Sequence, residues 1–111
     1  GTNMDTPTLA DVNIRGVAQR LIEKRLRRNS ENLKQLQTEL TLLDEQLDAL
    51  RDDANDKEMR SLVSETPLAL HEYRDAQKHV EALHEHRDFL LRAIAEQTRN
   101  QDELLDRLGK N

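Results

Sequence analysis

At 111 residues, with no cysteine, 2% aromatic and 35% charged residues, the chain excludes disulfide staples, thiolate metal centres and an aromatic-rich enzyme core. Three Gly and two Pro leave few places to turn, so long uninterrupted helices are expected. The net charge of -5 hides an asymmetry, because residues 15–28 hold Arg15, Arg20, Lys24, Arg25, Arg27 and Arg28 against the single acid Glu23.

The first eight residues carry no helical periodicity and are expected to be disordered. Gly1-Thr2-Asn3 reads as an expression-tag remnant before an initiator Met4. No basic-then-apolar signal pattern follows, and no apolar run approaches the ~18–20 residues that span a bilayer. A cytoplasmic protein with no membrane role is the expectation.

The first helix is expected over about 9–63. Its opening stretch places Ile14, Val17, Ala18 and Leu21 at i, i+3, i+4 and i+7, one apolar stripe. From Ile22 a heptad takes over. One seam position runs Leu26, Leu33, Leu40, Leu47 and Ala54; the other runs Ile22, Asn29, Leu36, Leu43 and Leu50. The pattern loosens at Arg51–Asp56 and resumes as Met59, Leu62 and Val63. A turn within Asp52–Asp56 is therefore the competing arrangement.

The preferred turn is residues 64–66. Thr66 suits an N-cap, and Pro67 suits the first helical position, where its missing N–H costs nothing. The second helix, about 67–108, repeats the heptad as Tyr73, Val80, Arg87, Ile94, Gln101 and Leu108, with Ala76, Leu83, Leu90, Gln97 and Leu104 as its other seam position. Gly109 ends it.

With the turn there, facing residues sum to about 130. Leu26 meets Leu104, Leu36 meets Ile94, Leu40 meets Leu90, Leu47 meets Leu83, Leu50 meets Val80 and Leu62 meets Leu68, while Asn29 meets Gln101, so two seam amides share one layer. A slip by one heptad buries Asn29 without a partner, at ~1–3 kcal/mol. Arg87 faces Leu43 and is expected to lay its stem along the seam while its guanidinium reaches Asp44. Exposed pairs four residues apart, Glu23–Arg27, Asp53–Lys57, Asp56–Arg60, Asp88–Arg92 and Glu103–Arg107, are expected to add ~0.2–0.5 kcal/mol each.

The fold class is thus all-α: an antiparallel two-helix coiled-coil hairpin. Its core is thin, and Leu42, Phe89, Leu91, Ala93, Ala95 and Leu105 widen the apolar stripe beyond a strict seam. A homodimer forming a four-helix bundle is the expected solution. Leu108 lies opposite Ile22, which leaves residues 9–21 without a partner in their own chain.

Chemistry-bearing clusters are few. His71, Asp75 and His79 stack at i, i+4 and i+8, and His84 precedes Asp88 by one turn. Half a Zn²⁺ or Ni²⁺ site completed across a dimer is the sharper reading; surface His–Asp pairs are the simpler one. The carboxylates sit in no cleft that would shift their pKa values, and no glycine-rich phosphate loop or H-E-x-x-H is present. No enzyme, cofactor, metal or small-molecule substrate is expected.

The expected function is a protein-binding adaptor or regulatory module. Ile14, Val17, Leu21 and Ile22 would dock a helix, while Arg20, Lys24, Arg25, Arg27 and Arg28 would select an acidic partner. Asn29, Gln101 and Arg87 would set the register. The alternative uses the same basic segment to bind nucleic acid by charge alone, without the aromatics that stack on single strands. Glu96, Asp102, Glu103 and Asp106, at the matching end of the hairpin, are placed to neutralise part of that charge.

Overall fold

A computed structural model of the chain describes residues 8–110. It contains helix α1, Leu9–Ser64, and helix α2, Pro67–Gly109, joined by Glu65 and Thr66. Among the described residues there is no strand, and the chain is an all-α helical hairpin. No described helix is long and apolar enough to cross a membrane. Residues 1–7 of the stretch expected to be disordered lie outside the described residues. Thr8, its last member, is the N-cap of α1.

Each helix end is satisfied by its own side chains or backbone. At the start of α1 the Asp11 N–H donates to Thr8 Oγ1 at 3.2 Å, and the Thr8 N–H donates back to Asp11 Oδ2 at 3.2 Å. Two donors that a helix start leaves free are thereby paired. At the turn, Glu65 takes a left-handed φ of 50° and its N–H donates to the Ser61 carbonyl at 3.1 Å. That is the bond of a left-handed C-cap, usually made by Gly because a Cβ is strained there. Thr66 then starts α2, its Oγ1 accepting from Ala69 N–H at 3.2 Å and its carbonyl from Leu70 N–H at 3.1 Å. Caps on both sides explain how two residues suffice for the reversal.

The acidic stretch Asp52–Asp56 lies inside α1 and does not turn. Ala54 at its centre is buried, so the helix carries its seam through the cluster and turns the charges outward. Past it, burial follows the heptad strictly to Lys57 and Ser61, both half-buried. The apolar residues expected to resume the seam do not: Met59 is 62%, Leu62 65% and Val63 81% exposed. Leu68, expected to meet Leu62, is 67% exposed as well. Position in the heptad, not side-chain hydrophobicity, decides burial here.

The described residues pack as two compact units: unit 1 comprises residues 8–34 with 95–110, and unit 2 residues 35–94. In unit 2, Leu43, Leu47, Ala54, Ala76 and Leu90 are buried, Leu90 to 1% exposure. Arg87 Nε donates to Asp44 Oδ1 at 2.8 Å. Arg51 donates to Nε2 of His84 at 2.7 Å. Both contacts pair a rising position on α1 with a falling one on α2, so the helices are antiparallel. The half-buried Arg87 is held as its stem-and-tip chemistry demands.

In unit 1 the buried residues are Ile22 and Asn29. The Asn29 side-chain amide donates to the backbone carbonyl of Gln97 at 2.9 Å. Gln101, expected in the same layer, is half-buried, and the carboxamide's hydrogen bond goes to a main-chain oxygen one turn earlier in α2. The main-chain acceptor leaves the Asn29 amide satisfied, and no buried side-chain polar atom of the described residues lacks a partner.

Candidate functional site

The basic and apolar residues singled out at the start of α1 fall into three environments. From Leu9 to Leu21 every residue is exposed except the half-buried Gly16 and Gln19. Ile14 is 66%, Val17 48% and Leu21 53% exposed, and with Ala18 and Asn13 they form a shallow groove with almost wholly apolar walls. Ile22 does not belong to that surface. It is 4% exposed, the first seam residue that α2 covers, so it serves the core and is unavailable to a partner. Arg20, Lys24 and Arg27 are exposed around the helix.

Arg25 and Arg28 are placed differently. Together with Asn29 and Asn32 they form one wall of a cleft of about 260 Å³, and Asn100, Glu103, Leu104 and Arg107 of α2 form the other. Helical spacing puts Leu21, Arg25, Arg28 and Asn32 on one side of α1, so the apolar groove leads directly into this cleft. Three guanidiniums and three amides therefore surround one carboxylate at the end of an apolar stripe. The α2 wall, Glu103 apart, escapes sequence reading, because nothing in the order of residues says which face of α2 will lie beside Arg25. Only the register fixed at Asn29 and Gln97 does.

The arginines of the cleft are not consumed internally. Of the five expected pairs four residues apart, only Asp53–Lys57 forms, at 2.8 Å. Glu23–Arg27, Asp56–Arg60, Asp88–Arg92 and Glu103–Arg107 are not ion pairs among the described residues. Asp106, expected to help neutralise the segment, bonds Lys110 at 2.9 Å instead. Arg25, Arg28 and Arg107 are thus solvated charges beside an apolar groove.

The four histidines disperse. His71 Nε2 lies 3.3 Å from Asp75 Oδ2, His84 accepts from Arg51, and His86 stacks on Phe89 with ring centroids 6.2 Å apart. No group of three or more His, Asp or Glu among the described residues is placed to hold a metal ion. A second cleft, in unit 2, is lined by Asp44, Asp48, Arg51, His84 and Arg87. Its charges are paired with one another, since Asp44 is held by Arg87 and Asp48 lies 4.0 Å from Arg51. Asp11 is the carboxyl held below the usual range, first by the Thr8 hydroxyl, then by the Thr8 N–H, with Arg15 adding to it. That effect belongs to the helix cap.

Comparison with protein-family models, with curated proteins and with solved structures finds no match to this chain.

Proposed function

We infer that the chain is a non-enzymatic helix-docking module, a coiled-coil adaptor or regulatory subunit that binds an amphipathic, acidic helix along α1 of unit 1. The observation that carries this reading is the continuity of the apolar groove at Ile14, Val17, Ala18 and Leu21 with the arginine cleft at Arg25, Arg28 and Arg107. Anchors at i, i+3, i+4 and i+7 are the spacing of helix-in-groove recognition.

Magnitudes assign the roles. Fully burying a Val, Leu or Ile is worth about 1.5–3 kcal/mol. Covering three such side chains that are now about half exposed therefore supplies roughly 3–4 kcal/mol. An exposed ion pair adds only ~0.2–1 kcal/mol. The groove gives affinity; the arginines choose the sign of the partner and speed its approach. The same feature weighs against nucleic acid as the partner, since a phosphate backbone has no use for the apolar half and is repelled by Glu103.

Replacing Val17 and Leu21 together by Asp tests the reading. Loss of self-association and of partner binding is expected. Unchanged sedimentation together with unchanged partner capture would sink it. An electrophoretic shift series starting near 50 mM salt, where charge-driven binding is strongest, separates the nucleic-acid reading; the docking reading expects no shift.

A further inference from the structure

We propose that the groove is filled by a second copy of this chain, with the Asp52–Val63 segment of one copy lying antiparallel along Ile14–Arg28 of the other. The proposal rests on the docking reading and names its occupant.

Two exposed stripes of α1 carry it. In unit 1 the stripe Ile14, Ala18, Leu21 and Arg25 has spacings of four, three and four, apolar first and basic last. In unit 2 the stripe Asp52, Asp56, Met59 and Val63 has the same spacings in the opposite order, acidic first and apolar last. Met59 and Val63 are 62% and 81% exposed, and both aspartates are exposed. These are the apolar residues that the hairpin's own seam leaves out.

Opposite order means that an antiparallel alignment matches three of the four stripe positions, whereas a parallel one matches only Leu21 with Met59. In the antiparallel alignment Ile14 faces Val63, Ala18 faces Met59, Lys24 faces Asp53 and Arg25 faces Asp52. Arg20 facing Lys57 and Leu21 facing Asp56 are the two unfavourable pairs of this register. A parallel alignment sets Ile14 on Asp52, Ala18 on Asp56 and Arg25 on Val63, which buries carboxylates against apolar groups and leaves an arginine without a counter-charge. Two unit 1 grooves pairing with each other would bring two basic segments together.

The charge of whole units points the same way. The described residues of unit 1 carry ten basic and seven acidic side chains, a net +3; unit 2 has seven and fourteen, a net -7. The facing positions sum to 77 whichever copy is counted first. A twofold axis therefore repeats the contact, and the pair closes as a dimer instead of growing into a filament.

Charge exchange in the full chain, read by sedimentation velocity across a concentration series, tests the alignment. The wild type is expected to sediment as a dimer that weakens with added salt. Lys24→Glu/Arg25→Glu alone and Asp52→Lys/Asp53→Lys alone are each expected to lose the dimer. Their equimolar mixture should recover it, because every reversed charge then faces an opposite one. Circular dichroism checks that both variants keep their helix content; all four positions are exposed.

A wild type that stays monomeric, a dimer indifferent to both reversals, or a mixture that fails to reassemble each overturns the proposal. None of these outcomes touches the broader docking reading, which falls only if the Val17 and Leu21 double substitution leaves sedimentation and partner capture unchanged.

Discussion

The two units are made from the same two helices and the same heptad, yet they are built for different ends. Unit 2 buries five apolar side chains and ties its one seam arginine to Asp44 across the pair. Unit 1 buries Ile22 and an asparagine, leaves Ile14, Val17 and Leu21 about half exposed or more, and keeps three cleft arginines out of ion pairs. Buried apolar side chains and unpaired arginines are unevenly divided between the two units. The buried apolar core is concentrated in unit 2 and is thinnest in unit 1.

The sharpest way to break that contrast is to cut equally into both cores. Leu90→Ala in unit 2 removes the most buried side chain and is expected to cost about 3 kcal/mol, within the usual span for such truncations. Ile22→Ala in unit 1 is expected to cost about 2 kcal/mol, because the last seam layer can admit water from the uncovered stretch beside it. Urea midpoints of the two variants measure the difference. Equal shifts, or a larger one for Ile22, would mean that unit 1 bears as much of the fold as unit 2.

A smaller effect of opposite sign is expected at Asn29. Its amide bonds the Gln97 carbonyl, an oxygen that the helix itself also uses, so losing the amide strands no acceptor. Asn29→Leu should therefore stabilise the chain by about 1 kcal/mol, at the cost of a defined register, as polar seam residues do elsewhere. A higher unfolding midpoint with doubled amide resonances in residues 95–109 is the expected result. Destabilisation with a single set of resonances would show that Asn29 contributes energy and not alignment.

This layer also marks how far the sequence can be read. The seam from Ile22 to Ala54 and its counterpart from Tyr73 to Leu108 are legible because leucines recur at alternating fours and threes. The reversal is legible because Thr66 and Pro67 have few other uses side by side. The acceptor of the Asn29 amide is not legible, since pattern reading pairs side chains with side chains and has no place for the main-chain oxygen of Gln97. Met59, Leu62 and Val63 misled for a related reason: their hydrophobicity suggested a seam that the heptad had already given to Lys57 and Ser61. Of the candidate site, the α1 half could be read from Ile14, Val17, Leu21, Arg25 and Arg28. On α2 only Glu103 could be placed near that charge; Asn100 and Arg107 could not, because they join the site only through the packing of α2.

The smallest expected effect concerns the uncovered start of α1, which must hold itself together by its cap. The Asp11 carboxyl is lowered from 3.8 by its bonds with Thr8. A lowered folded value means that the cap is at full strength above about 3.8 and is lost as the pH falls through that lower value. Hydrogen exchange at Val12 and Asn13 should quicken on acidification while Leu90 stays protected, and Asp11→Asn should remove the pH dependence. Acid-insensitive exchange at Val12 would show that the cap does not hold this segment.

The unbroken seam through the acidic cluster restricts how the chain can change in length. One residue added inside α1 would rotate everything beyond it by about 100° and carry the leucines off the buried face. Only additions of seven restore the pattern, and each must be matched by seven in α2 to keep Arg87 beside Asp44. Glu65 and Thr66 lie outside both heptads, and there extra residues disturb no layer. Among descendants of this sequence, length should drift at the reversal and jump in paired sevens everywhere else.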